Sequence, residues 1–240
     1  MTEMIRRFLR QRFSNAGVVI ALSALALLAA SQVVGSGGRA GFDVGTLALL
    51  ILAAGCVARD ASGGALQMIL CRPIRRSEYL MGRYVGILAA YAAFLLASAG
   101  LGVVLGRVVL PMIGSTAPEM AWDSLGIQVL SAFLSGLATA AGILLLSTFL
   151  PGYGDVLGFI LLTPIFALPE LAGQALRLPA LQRAGEWLRQ NLLPSLDWNS
   201  VLQGRNPLGE ATGRWVLALV LYLTAALLIF RRREFAYGQD

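Results

Sequence analysis

The sequence has no histidine and no lysine among its 240 residues. Without histidine it cannot form an HExxH metalloprotease site, the Ser-His pair of a rhomboid-like protease or a histidine-based zinc site. Without lysine it cannot form a Walker A loop, because the lysine of GxxxxGK[ST] contacts the phosphates. We therefore predict that the chain is not an enzyme and has no catalytic, cofactor or metal site, so that any ATP-driven function depends on a partner chain.

Charged residues are also scarce. They make up 13% of the chain, whereas 57% of the residues are hydrophobic, and soluble domains carry about 25% charged residues. This composition predicts a polytopic membrane protein in contact with the lipid bilayer. The net charge of +6 does not indicate nucleic-acid binding, because the arginines cluster at the ends of apolar segments. Cysteine occurs only at Cys56 and Cys71, on the predicted inner side, where a structural disulfide is not expected.

The segment 59–83, from Arg59 to Arg83, separates two long apolar runs and carries five of the nineteen arginines. Its own apolar run, Ala65 to Cys71, makes about two helical turns, whereas a span needs roughly 20 residues. Pro73 should end this short helix, and a new helix should start near Ser77. We predict a rigid cytoplasmic connector that lies along a surface.

The apolar runs predict an all-α fold with six transmembrane helices in a single domain, residues 1–240. The predicted spans are 17–34, 44–58, 84–106, 124–150, 156–168 and 214–230. Residues 1–16 predict a basic amphipathic helix at the membrane surface, in which Arg12 falls on the apolar side and has to reach back to the headgroups. Pro164 should kink the fifth span, which is bounded by Pro169. The long segment 171–213 should lie outside, with an interfacial helix from Leu181 to Leu192.

The arginine distribution predicts the orientation. Twelve arginines lie at the inner ends of these spans and seven at the outer ends. Because positive residues are retained on the cytoplasmic side, both termini are predicted to be cytoplasmic.

The order of these segments resembles the type-2 membrane permeases of ATP-binding cassette (ABC) exporters, along the whole chain. The specific part is D-x-x-G-G-A-L-x-x-x-L-x-R-P-I-x-R-x-x-Y-L-x-G-R. The matching positions are Asp60, Gly64, Ala65, Leu66, Leu70, Pro73, Ile74, Arg76, Gly82 and Arg83, while Arg75 stands where the family has serine.

The resemblance implies that the connector is a coupling helix seated in a groove of an ATPase subunit. The implied coupling residues are Asp60, Gly64, Ala65, Leu66, Ile69, Leu70, Pro73 and Arg76. It also implies outer re-entrant helices that gate the exit, with Leu181, Trp187, Leu188, Pro194 and Trp198 as gate residues. The implied partners are two ATPase copies, which bind ATP and Mg, and a second permease copy, identical or closely related. The implied location is the inner, cytoplasmic membrane of a bacterium.

Two other functions are compatible with the residues. One is a secondary transporter. The other is an intramembrane aspartyl protease, because Gly152 to Asp155 spells GxGD and Asp60 offers a second carboxylate. A turn after Pro151, however, favours glycines for backbone reasons, and Asp155 can simply stabilise the start of the fifth helix.

The spans contain few ionisable groups, which favours export of a hydrophobic or lipid-linked substrate over a proton or metal relay. The sequence leaves open the substrate itself, homodimer against heterodimer, the direction of transport, accessory periplasmic partners and the role of Arg75.

Overall fold

The computed structural model describes residues 2–39, 42–57, 60, 75–114, 119–150, 152–192, 196–205 and 209–232. Within these ranges every regular element is a helix, which confirms the predicted all-α class. In chain order the helices are α1 (Thr2–Phe13), α2 (Ala16–Ser36), α3 (Gly45–Ala53), α4 (Arg76–Val104), α5 (Trp122–Ser147), α6 (Gly154–Ala175), α7 (Pro179–Leu192), α8 (Trp198–Leu202) and α9 (Glu210–Arg232). A π-helical turn (Leu105–Val109) and a last α-helical turn (Leu110–Met112) prolong α4.

Four of the described helices are long and apolar enough to cross a membrane: α2, α4 with its extension, α5 and α9. In the apolar windows of α2 and α9 only 22% of the residues are buried, so most of these side chains point outward, as lipid-facing side chains do. These helices stand at the predicted first, third, fourth and sixth spans. α3 and α6 stand at the second and fifth, and their crossing of the membrane stays a prediction.

The helices group into two compact units, each built from three stretches of chain. Unit 1 consists of Met1–Leu52, Gly82–Ala140 and Asp197–Pro207. Unit 2 consists of Ala53–Met81, Ala141–Leu196 and Leu208–Asp240.

In unit 1, α4 and α5 pack antiparallel, and two tyrosines of α4 fix their register. The Tyr84 hydroxyl donates to the Leu137 carbonyl at 3.0 Å, and the Tyr91 hydroxyl donates to the Ala132 carbonyl at 3.3 Å. Gly136 lies directly against the Tyr91 ring, so that a Cβ there would collide with it. A glycine is therefore needed at this point of close approach.

The helix α1 confirms the helical prediction for the N-terminal segment, and it packs on α4 through Phe8. The buried Phe8 ring contacts Gly86, where an added Cβ would lie 2.9 Å from Phe8 Cδ1. The guanidinium carbons of Arg12 and Arg83 each lie 5.4 Å from the ring centroid, a distance that suits a cation–π interaction. Arg83 also donates to Gln11 Oε1 at 3.2 Å. The prediction that Arg12 reaches back to the headgroups is wrong, because Arg12 is buried over Phe8.

The turn after α2 and the start of α5 meet at one end of unit 1. Gly37 ends α2 in the left-handed region, with φ of 60°, and its carbonyl accepts from the Ala121 N–H at 2.9 Å. The Gln128 amide donates to the Arg39 carbonyl at 3.2 Å. The predicted topology likewise places both segments on the same side of the membrane.

In unit 2, α6 and α7 form a tight antiparallel hairpin through two glycines. A Cβ on Gly173 would lie 2.7 Å from Gln182 Cα, and one on Gly185 would lie 2.7 Å from Glu170 Cα. The two backbones therefore touch at both crossings, which only glycine permits. Between the helices, Arg177 adopts the left-handed region with φ of 55°.

The predicted ends differ most from the observed helix ends at the third, second and fifth spans. The third span was predicted to end at Gly106, but the helix continues to Met112 because Val108 and Val109 keep the apolar pattern. Arg107 is carried along and lies over the Trp122 ring at 4.9 Å instead of ending the helix.

The second and fifth predicted spans also change at their ends. The predicted second span, 44–58, contains a helix only as far as Ala53, followed by turns to Val57. The predicted fifth span, 156–168, lies within a helix that continues to Ala175 with Pro164 and Pro169 inside it. Each proline removes one helical hydrogen bond, yet its fixed φ is compatible with the helix, so the chain does not have to leave it.

Candidate functional site

The structure describes two of the eight predicted coupling residues, Asp60 and Arg76, which stand at the two ends of the connector. The other six, Gly64, Ala65, Leu66, Ile69, Leu70 and Pro73, lie outside the described residues. The contacts of the connector with the rest of unit 2 can therefore be followed where the chain enters it and where it leaves it.

Asp60 and Tyr79 join these two ends. The Tyr79 hydroxyl donates to Asp60 Oδ2 at 2.7 Å. Asp60 is 4% exposed and Tyr79 is 0% exposed. A buried carboxylate without hydrogen bonds would be costly, and a hydrogen bond to a charged group is among the stronger ones. This hydrogen bond therefore links the first part of the connector, at Asp60, to its last part, at Tyr79.

The end of α9 is attached to the same place. The rings of Tyr79 and Phe230 stack with centroids 5.7 Å apart and planes inclined by 16°. Arg76 donates from Nη1 to the Arg231 carbonyl at 3.0 Å. The last carbonyls of a helix have no partner within the helix and attract positive charge, so an arginine fits here. We call Asp60, Arg76, Tyr79, Phe230 and Arg231 the connector base.

The chain that leads into Asp60 is also held, by the ends of α5 and α6. The Gly55 N–H donates to both oxygens of Asp155, at 3.1 and 2.8 Å, and the Val156 N–H donates to Oδ1 at 2.8 Å. The Val57 N–H donates to Ser147 Oγ at 3.0 Å. Asp155, 0% exposed, thus stabilises the first turn of α6, where the helix dipole favours a carboxylate.

Sequence reasoning found Asp60 and Arg76 but not their partners. Tyr79 stands inside the quoted motif, yet nothing in the spacing pairs it with a residue nineteen positions earlier. Phe230 does not differ in the sequence from the other apolar residues of the predicted last span. The partner of Arg76 is the backbone carbonyl of Arg231, which no side-chain pattern indicates. The one available signal was the placement of all these residues at predicted inner helix ends.

The structure describes four of the five predicted gate residues. Leu181 and Leu188 are half-buried on α7, and Trp187 is 61% exposed on the same helix. Trp198 belongs to unit 1, where it is 7% exposed at the start of α8. Pro194 lies outside the described residues.

The helix predicted from Leu181 to Leu192 is present as α7. Its backbone contact with α6 runs through Gln182 and Gly185. Trp187 on this helix is 61% exposed, as an aromatic side chain at a membrane interface would be.

No family model matches the chain, and no curated protein matches it either.

Proposed function

We propose that the chain is the membrane-spanning permease subunit of an ABC exporter, moving a hydrophobic or lipid-linked substrate across the bacterial inner membrane. ATP hydrolysis takes place in a separate ATPase subunit that binds ATP and Mg. Two ATPase copies and a second permease copy complete the transporter. Two observations support the proposal. The connector segment carries a motif that resembles the one in this family, and four apolar helices are long enough to span a membrane.

The observation that carries the proposal is the connector base. A segment that only rests on the membrane surface needs no firm attachment at its ends. Here the first part of the connector and its last part are bonded to each other by Asp60 and Tyr79, and to α9 by Phe230 and Arg231. A partner that displaces the connector therefore displaces the attached helix ends with it, as a rigid-body mechanism requires.

The helix α4 extends this coupling across the bilayer. With its extension it is a continuous helix of 37 residues. At 1.5 Å per residue it measures about 55 Å, more than the roughly 40–45 Å of a bilayer with its headgroups. Its first turn carries Arg76 and Tyr79 of the connector base. Movement of the connector thus has a direct mechanical route to the far end of α4.

The contacts of Asp155 argue against the aspartyl protease. Both of its oxygens accept backbone N–H groups, and Asp60 accepts from Tyr79. Each carboxylate therefore has a structural task, whereas a catalytic pair has to share a proton and activate water. A secondary transporter is the remaining alternative, and it differs by working without nucleotide.

The proposal is tested by placing carboxylates on the connector. The double variant Leu66→Asp, Ile69→Asp puts charge on the predicted docking face, where a buried carboxylate costs several kcal/mol. The matched control, Gln67→Asp with Met68→Asp, adds the same charge on the opposite face of the same predicted helix. Both are reconstituted in lipid vesicles with the ATPase subunit that co-purifies with the unaltered chain.

We expect the first variant to lose ATPase binding and nucleotide-driven transport while the control retains both. Equal activity of the two variants would contradict docking through this face. Transport by the permease without nucleotide would instead favour the secondary transporter. Asp155→Asn is unsuitable as a control, because an amide in place of the carboxylate would oppose the backbone donors at Gly55 and Val156.

A further inference from the structure

Unit 1 contains a polar cavity of about 270 Å³ that the function proposed above does not use. It lies among the start of α3, the middle of α4, α5 and the start of α8. Taking a water as about 30 Å³, it has room for about nine waters, or for a small polar group of a few heavy atoms. A drug-sized ligand needs more space, roughly 300–1,000 Å³.

One wall of the cavity is a polar stripe on α5. Gln128, Ser131, Ser135 and Thr139 all line it, and their spacings of three, four and four place them on one helical face. The rest of this helix is apolar enough to span a membrane. Polar side chains in such a helix usually face the protein interior or a water-filled cavity, and they mark functional paths.

The charges on the lining are all negative. Asp43 and Asp197 line the cavity and are exposed, so they stand where it meets solvent. No arginine is among the described residues that line it. The Ser200 hydroxyl donates to Asp197 and lowers the pKa of this carboxyl, and Arg205 contributes in the same direction from outside the lining. The wall therefore attracts a positive charge at neutral pH.

The cavity also has aromatic walls. The rings of Phe42 and Tyr91 line it, and aromatic faces attract cations. The rings therefore favour a positively charged occupant, as the carboxylates do.

We propose that this cavity binds an alkylammonium group, either of a free amine or of an aminolipid headgroup. Such a group supplies the positive charge that the two carboxylates attract. It is small enough to fit within the cavity. The site lies within one chain and does not depend on the proposed function.

The test uses the full chain in detergent and titrates it calorimetrically with ethanolamine at pH 7. Ethylene glycol, which has nearly the same size and no charge, serves as the control ligand. The variant Asp43→Asn, Asp197→Asn removes both charges, and asparagine caps α8 as well as aspartate does. Asp123→Asn is the matched control, because Asp123 is an exposed carboxylate of unit 1 outside the lining.

We expect ethanolamine to bind, ethylene glycol not to bind, the double variant to lose at least tenfold in affinity and Asp123→Asn to change less than twofold. Equal binding of the two ligands, or equal affinity in the double variant, would overturn the proposal. If the double variant does not fold, each single substitution is expected to weaken binding at least threefold, and an unchanged affinity in both would overturn the proposal.

A second arm distinguishes the two sources of the ammonium group. Nanodiscs of phosphatidylethanolamine and of phosphatidylglycerol are compared, with ethanolamine as competitor. Reduced ethanolamine binding in phosphatidylethanolamine identifies a lipid headgroup as the occupant. Equal binding in both lipids identifies a free amine. Failure of ethanolamine to bind in detergent and in both lipids overturns the site altogether.

Discussion

The hydroxyl of Tyr79 joins two parts of the connector base through its hydrogen bond to Asp60. In Tyr79→Phe the ring still stacks on Phe230, but buried Asp60 loses a charge-assisted hydrogen bond. We expect the free energy of unfolding to fall by about 1–3 kcal/mol and transport per ATP hydrolysed to fall with it. Thermal unfolding in detergent and a vesicle transport assay measure the two effects.

The control is Tyr153→Phe, which removes a hydroxyl from an exposed ring of the same unit. It should change neither quantity. If the two variants behave alike, the bond between Asp60 and Tyr79 contributes nothing to coupling.

Asp197 makes one part of the stability dependent on pH. The Ser200 hydroxyl and N–H donate to this carboxylate and lower its pKa below the ordinary value of 3.8. A lowered pKa means that the folded chain favours the ionised form, so the contribution is complete above pH 3.8 and is lost as the pH falls through the folded pKa. Ser200→Ala should lower the unfolding temperature by a constant amount above about pH 5, and by less and less in more acidic solution.

Ser31→Ala is the matched control for this titration. Its hydroxyl donates to the Leu28 carbonyl at 2.7 Å and touches no titrating group in that bond. Its effect on the unfolding temperature should be the same at every pH. If Ser200→Ala also lowers the unfolding temperature by the same amount at every pH, the Asp197 carboxylate is not responsible for the loss of stability.

At the scale of the helices, the close crossing in the α6–α7 hairpin predicts that a glycine-to-alanine substitution there lowers stability. Gly185→Ala improves helix propensity by about 1 kcal/mol, yet its Cβ would collide with the Glu170 backbone. Overpacking of this kind costs about 1–3 kcal/mol, so we expect a net loss of stability. Gly213→Ala in α9 meets open space and should be neutral or stabilising by up to about 1 kcal/mol. Thermal unfolding of both variants compares them directly, and a stabilising Gly185→Ala would contradict the close crossing.

The helices themselves were largely predictable, because long apolar runs and a basic amphipathic start leave few alternatives. The helix ends were less so. Pro169 was taken as a boundary, but proline only weakens a helix locally, and α6 continues to Ala175 because its contact with α7 holds it. The third span was likewise predicted to end before Arg107, whereas the ring of Trp122 accommodates the charge of this arginine.

The candidate site was predictable only in part, for a physical reason. Local spacing reports which residues share a helix face, so it could place Asp60 and Arg76 at the ends of the connector. It does not report which distant residue completes a hydrogen bond. The pairing of Gly55 with Asp155, one hundred positions apart, and that of Tyr79 with Asp60 are set by packing across unit 2.

For the whole molecule we predict that transport needs two permease chains and two ATPase chains. A single chain with four to six spans has too few helices to enclose a pathway with alternating access, so the route should run between two copies. Native mass spectrometry of the complex should give twice the 25.5 kDa of this chain plus two ATPase masses. A monomer that transports without nucleotide would exclude this assembly.

The interleaving of the two units along the chain also sets an order for their synthesis. When the ribosome has made residue 196, unit 1 still lacks Asp197–Pro207, and unit 2 still lacks Leu208–Asp240. Neither unit can therefore finish folding while the chain is short, in contrast to proteins whose N-terminal domain folds first. Phe230 and Arg231 arrive with α9, so their contacts with Tyr79 and Arg76 form only after that helix has been made. An ATPase that recognises only a firmly held connector would thereby bind finished chains, and a half-made chain would not trigger ATP hydrolysis by the ATPase.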